Sequence, residues 1–191
     1  MITRNHIRAT FLTLCALLAT LFSTSAKAQT ATLVAQSNNG GVTDHYVTPE
    51  RVVWISDSTG RFVRHAERLI RPFSGQVSVA DTAFTVMQSN TTHKAGVLVD
   101  FGRELHGALE IASAIRPEHA PVRLRVRLGE SVTEALSADG EKRGATNDHA
   151  MRDLILPAPW LGNTQTGNTG FRFAYIEVED TAVRYNLRAV R

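Results

Sequence analysis

The stretch Pro121-Val122-Arg123-Leu124-Arg125-Val126-Arg127-Leu128-Gly129 decides how this chain folds. In an extended backbone side chains alternate between two sides, so Val122, Leu124, Val126 and Leu128 face one way and Arg123, Arg125 and Arg127 the other. One dry face and one wet face define a strand of an antiparallel sheet that covers a core. The three guanidinia can hold an anion, but pairing across strands to acids such as Glu177 or Glu179 is the expected arrangement.

The same period of two recurs outward from this stretch. Val97, Val99 and Phe101 share one face, Val77 and Val79 alternate with polar neighbours, and Phe171–Glu179 and Arg184–Val190 read as further strands. Tyr46 to Ser56 has strand character at Val52-Val53-Trp54-Ile55, with Pro49 confining its start to a sheet edge. Between Arg61 and Arg71 the spacing of Phe62, Ala66, Leu69 and Ile70 predicts a short helix or irregular crossover, stopped by Pro72. Gly102, Gly107, Gly129, Gly140, Gly144, Gly162, Gly167 and Gly170 read as turns between strands. The predicted fold class is all-β, an antiparallel β-sandwich or jelly roll with one or two short helices. There is no βαβ alternation, no G-x-G-x-x-G, no phosphate-binding loop and no internal repeat.

Composition sets the outer limits. The chain has 191 residues, 43% hydrophobic and 20% charged, which suits one domain with a packed core and excludes wholesale disorder. Residues 1–28 read as a secretory signal peptide: Arg4 and Arg8 near the start, an apolar run from Ala9 to Leu21, then Ser25-Ala26-Lys27-Ala28 before Gln29. Without Arg4, Arg8 and Lys27 the 21 basic residues become 18, equal to the 18 acidic ones. A neutral mature chain argues against nucleic acid as a partner. The expected organisation is a signal peptide at 1–28, a flexible lead-in at 29–44 and a sandwich domain at 45–191. The destination is then periplasmic or extracellular, with no membrane attachment after signal cleavage. Cys15, the single cysteine, lies in the signal segment, so disulfides, thiol catalysis and cysteine-bound metal drop out.

The polar clusters divide between chemistry and local structure. Glu130 and Glu134 could be paired as acid and base, yet Ser131-Val132-Thr133-Glu134 is a capping box. It predicts a helical turn through Ala135-Leu136-Ser137, ending near Gly140, with the Glu134 carboxylate reaching the Ser131 amide. Asn147, Asp148, His149 and Arg152 form the densest polar cluster. Asp148 and Asp153 are five apart, which places them on opposite faces of a strand, so a local glycosidase pair is poorly set and a turn is the plainer reading. His106 lacks a second histidine at ligand spacing and reads as a hydrogen-bonded structural group; no metal site and no cofactor is expected. Trp54 and Trp160 can stack on a sugar, although a core or edge place is commoner for lone tryptophans, and Pro157-Ala158-Pro159-Trp160 reads as a rigid loop pinning the ring. No serine sits in a G-x-S-x-G context.

Several segments taken together resemble a known family. They are YVTPERVVW (46–54), HAERL (65–69), VDFGRELHGA (99–108), VRLRVRLGESVTEAL (122–136), GATNDHAMRD (144–153), PWLG (159–162) and GNTGFRF (167–173). In order and spacing they are similar to the N-terminal β-sandwich domain of bacterial α-L-rhamnosidase-like proteins of the glycoside hydrolase family 78 type. The resemblance runs from about Tyr46 to Val190. It implies that the sandwich precedes an (α/α)6 barrel bearing the catalytic glutamates. No position up to Arg191 matches that barrel, and Asp139-Gly140-Glu141-Lys142-Arg143 resembles one of its acidic stretches only by coincidence. The expected role is therefore a non-catalytic accessory domain of an exported rhamnosidase-like enzyme, partnered by a barrel in the same or a separate chain. The alternative is a stand-alone carbohydrate-binding module for rhamnose-containing glycans of plants or bacteria. A complete enzyme is the weakest reading. Residues expected to contact a sugar or a neighbouring domain are Asn147, Asp148, His149, Arg152, Trp160, Asn168 and Arg172.

Overall fold

The alternation in the arginine stretch is realised as a strand with Val122, Leu124, Val126 and Leu128 all buried. A computed structural model of the chain describes residues 34–36, 43–137 and 153–191. The signal-peptide reading of 1–28 and the cluster Asn147, Asp148, His149 and Arg152 lie outside the described residues. Within the segment read as a lead-in, β1 (Val34–Gln36) pairs antiparallel with β2 (Thr43–His45).

The remaining strands are β3 (Arg51–Ile55), β4 (Val63–Arg64), β5 (Thr85–Gln88), β6 (Gly96–Ser113), β7 (Val122–Gly129), β8 (Asp153–Ala158), β9 (Gly162–Val178) and β10 (Arg184–Val190). They form one antiparallel ladder in the order β4-β5-β10-β6-β9-β7-β8, with β3 added to the start of β6. β6 and β9, at 18 and 17 residues, are too long for one flat layer. Register shifts between Asp100 and Leu105 and between Ala108 and Glu110 bend the pair, as bulges do where strands pass from one sheet to another. Residues 96–100 of β6 and 173–178 of β9 then belong with β3, β7 and β8. Residues 105–113 of β6 and 162–171 of β9 belong with β10, β5 and β4.

The two layers share one core. Val97, Val99, Leu124 and Ile176 from the first meet Val63, Met87, Ile111 and Leu187 from the second in a single cluster. The fold is thus an antiparallel β-sandwich with a 3₁₀ helix at Ala66–Ile70 and one short α-helix, α1 (Val132–Leu136). No described helix is long and apolar enough to cross a membrane.

Several local expectations change. Val77 and Val79 form no strand; Val79 is exposed, and Val77 packs in a small cluster with Phe73, Ala112 and Ala189. Gly102, Gly107, Gly167 and Gly170 lie inside β6 and β9 rather than in turns between strands. Pro157, read as loop, belongs to β8, an edge strand that among the described strands pairs only with β7, where a missing N–H costs no ladder bond. α1 ends at Leu136. Ser131 Oγ accepts from the Glu134 amide at 3.2 Å, and the Glu134 carboxylate takes the amide of Glu130 at 2.8 Å instead of that of Ser131.

Candidate functional site

Residues directly opposite on paired strands point to the same side, so the registers define rows across the outer face of the first layer. One row reads Trp54, Leu98, Tyr175, Arg127, Asp153; the next reads Arg51, Asp100, Phe173, Gly129. Leu98, Phe173, Tyr175 and Ala135 form a second apolar cluster under α1. Gly129 makes room for that helix, because a Cβ there would lie 2.7 Å from the Ala135 amide nitrogen. The arginines of β7 pair with acids other than those expected. Arg125 binds Asp153 twice, at 2.8 and 2.7 Å, Arg127 reaches the same carboxylate at 3.3 Å, and Arg123 binds Asp180 at 2.7 Å. Arg127 also lies over the Tyr175 ring at 5.5 Å. Burial pushes the Tyr175 hydroxyl well above its usual range, and its bond to Glu177 at 2.5 Å adds to this.

Trp54 ends the first row on β3, which among the described strands pairs with β6 alone. A register shift between Val52 and Trp54 sets the phase: Val52 and Ile55 pack on the core while Trp54 is turned outward and 41% exposed. Its indole is tilted 49° against Tyr175 at 5.9 Å. An open groove of about 540 Å³ runs beside it, lined by residues 52–56, Ser58 and Ala66. The turn after β3, which carries Ser56 and Ser58 of the lining, is held firmly. Asp57 accepts from the Thr59 hydroxyl at 2.6 Å and from the Thr59 and Phe62 amides at 2.9 and 2.6 Å, and these bonds, the Thr59 hydroxyl foremost, hold its carboxyl well below the usual range. Ser56 Oγ accepts from the Gly96 amide at 3.0 Å and lies 3.1 Å from His93 Nε2, whose ring stacks on Phe62 at 4.1 Å.

The second row contains the most constrained charge. The Asp100 side chain is fully buried and accepts from Arg172 Nε and Nη2 at 2.9 and 3.1 Å, from the Gly102 amide at 2.7 Å, and from Arg51. Arg172 first, then the Gly102 amide and Arg51, lower its pKa far below the ordinary value despite burial. Gly102 takes φ +77°, and a Cβ there would run into the Glu50 carboxylate. Burial pushes Asp180 up, but the Arg123 amide at 2.8 Å and the Arg123 guanidinium outweigh it, leaving this carboxyl lowered too.

The described residues among those expected to form a site are not brought together. Trp160 is half-buried on the β8–β9 connection, its indole 4.5 Å from the imidazole of His119. Asn168 is exposed on β9 opposite Ala108, six residues beyond Gly162 and so roughly 20 Å along the strand. Arg172 is committed to Asp100. His106, expected to be a hydrogen-bonded structural residue, is exposed on β6. Trp54, weighed from its residue type as a sugar platform but set with core or edge tryptophans, is the exposed ring; the register shift after Val52 turns it outward.

No protein-family model matches the sequence, and no curated protein does. Among solved structures, the chain is similar to a rhamnosidase from Klebsiella oxytoca with rhamnose bound, at 21% identity and TM-score 0.42. That match covers 53% of this chain and 20% of the rhamnosidase, so the chain spans about a fifth of that enzyme. It is similar to a fucose binding module from Streptococcus pneumoniae at 11% identity and TM-score 0.47, over 75% of this chain and 92% of that one. It is also similar to reduced XRCC1 bound to the DNA polymerase β catalytic domain, at 14% identity and TM-score 0.44, over 76% and 95%. Likenesses this distant, to chains that bind a sugar in two cases and a polymerase in the third, assign neither a family nor a ligand.

Proposed function

We propose that the chain is a carbohydrate-binding β-sandwich that holds a glycan in the groove beside Trp54. The observation that carries the reading is the state of that side chain: a large aromatic ring, 41% exposed, steadied by Tyr175 and bordered by a groove of ligand size. Apolar sugar faces stack on such rings, while hydroxyls need fixed donors and acceptors. Ser56, Ser58 and the unpaired edge of β3 supply them, since a strand bonded on one side only leaves alternate N–H and C=O groups facing outward. The hydrogen-bonded turn carrying Ser56 and Ser58 lowers the ordering cost of binding.

A general acid in a glycosidase needs a raised pKa, so Asp57, Asp100 and Asp180, all lowered, are unsuited to that one role. An accessory role beside a rhamnosidase-type barrel, rhamnose-containing glycans as ligands, and export from the cytoplasm are parts of the same proposal.

Titration of the folded protein with a glycan panel that includes rhamnose-containing oligosaccharides, followed by calorimetry, tests it. Saturable binding should be lost in Trp54→Ala and kept in Trp160→Ala. Loss in Trp160→Ala with retention in Trp54→Ala would move the site to the other end of the fold and overturn the reading.

A further inference from the structure

Resting on the carbohydrate reading of the Trp54 groove, we infer that it takes the interior of an extended, uncharged glycan chain rather than a chain end or an acidic sugar. Three features of the groove lead to this. It is lined by five consecutive residues, 52–56, so its floor follows the strand for about 15 Å, longer than a single sugar ring. It is open rather than enclosed, with Ser58 and Ala66 completing its lining beyond the strand. And it is lined by valine, tryptophan, isoleucine, serine and alanine, without one charged side chain.

The charge argument decides the class of sugar. A carboxylate brought into this groove would shed water against apolar groups and neutral hydroxyls, with no cation in the lining to receive it, which is unfavourable. Asp57 lies beside the groove and is kept ionised by its turn, adding repulsion for an anion. Arg51 is the nearest outward cation on β3, and its guanidinium is engaged by Asp100. The length argument decides the mode. Outward-facing backbone groups of an edge strand repeat every second residue, about 6.6 Å apart. The register shift between Val52 and Trp54 interrupts that repeat on β3, and a glycan chain can engage outward groups on both sides of the break, with Trp54 stacking one ring midway, while a lone sugar reaches one side.

The test uses the full domain carrying Trp160→Phe, so that Trp54 is the sole indole and its fluorescence reports the groove. Cello-, xylo- and manno-oligosaccharides of one to six units, a rhamnose-containing series and an oligouronate series are titrated in parallel. Affinity should rise by at least about tenfold from the single sugar to the tetramer of the preferred neutral series and then level off, with matched uronates about tenfold weaker. Equal affinity for monomer and tetramer would overturn the chain-interior mode, and equal affinity for uronates would overturn the neutral class. Failure of every sugar to move the Trp54 signal sinks the carbohydrate reading itself, and this inference with it. A response to an extended peptide alone would reassign the β3 edge to strand pairing. Trp54→Phe, which keeps a ring, should retain most of the length dependence; its loss there with an unchanged Tm would show that the indole is not acting as a stacking surface.

Discussion

Arg172 on β9 reaches diagonally across the ladder to Asp100 on β6, whose direct neighbour is Phe173, and grips its carboxylate with two nitrogens at 2.9 and 3.1 Å. Arg51 and the Gly102 amide complete the set of donors around a side chain with no exposure. The bulge after Asp100, which bends β6 from one layer into the other, is therefore pinned by a buried ion cluster. Asp100→Asn removes the charge and leaves two guanidinia facing a neutral amide. Because both arginines are partly exposed and can rehydrate, the loss of stability should be about 2 kcal/mol, below the usual range for a fully buried pair. Urea unfolding checks it; a change under about 0.5 kcal/mol would show that the cluster does not hold the bend.

The same carboxylate makes a prediction about acid. Its folded pKa lies far below the unfolded value of about 3.9. A depressed carboxyl contributes stability that is complete above the unfolded pKa and is lost as pH falls through the folded one. Thermal stability of the wild type should thus fall steeply from pH 4 downward (taking about 3.9 as the onset), and Asp100→Asn should flatten that part of the curve. Parallel curves for the two proteins would remove Asp100 from the acid response.

Gly129 tests how α1 is seated. A Cβ there meets the Ala135 backbone nitrogen at 2.7 Å and Glu134 Cβ at 2.8 Å, and neither is the free end of a flexible side chain. Gly129→Ala should lift the helix from Leu98, Phe173 and Tyr175 and cost about 1–3 kcal/mol. Hydrogen exchange at the Ala135 and Ser137 amides should speed up while the amides of β10 keep their protection. Uniform loss of protection would mean that the helix is not a separate unit.

Much of the sandwich is legible in the sequence wherever alternation runs long enough to outvote other signals. β7, eight residues long, emerges with its faces correctly assigned, and the seven residues of β10 emerge as a strand. Val77 and Val79 fail because a two-residue alternation carries no partner, and there the chain joins no ladder. β8 is hidden by Pro157, which is harmless only because the strand lies at an edge, a fact of tertiary pairing. Trp54 is the instructive case. Its strand is readable, but one extra residue in the ladder reverses the side on which it emerges, and a bulge leaves no mark in composition. Trp160 and Arg172 are candidates by residue type; the neighbours that meet them, His119 and Asp100, come from distant parts of the chain and leave no local mark in the sequence.

Ser113 and Tyr185 form a buried hydroxyl pair on β6 and β10, 2.7 Å apart, with Tyr185 fully enclosed. Removing one partner strands the other, whereas removing both leaves an apolar contact. Tyr185→Phe and Ser113→Ala should each cost about 1–2 kcal/mol, and the double variant should cost clearly less than their sum. Strict additivity in urea unfolding would show that the two hydroxyls are satisfied independently.

Thr169 presents the opposite case. It is buried on β9 directly opposite Gly107, and its Oγ1 has no hydrogen-bond partner among the described residues. A Cβ on Gly107 would meet nothing within 4 Å, so this rung of the ladder is loosely filled as well as unpaired. A buried hydroxyl without a partner is a standing cost, and valine has nearly the same shape with better strand preference. Thr169→Val should therefore raise stability by about 1 kcal/mol, or Tm by roughly 2–4 °C for a domain of this size. Gly107→Ser, which offers the hydroxyl a cross-strand partner and adds contact area, should stabilise by a similar amount, and the two gains should not add, because each removes the same unmet bond. A fall in Tm for Thr169→Val would mean that the hydroxyl is bonded in solution, and Gly107→Ser should then be neutral or destabilising.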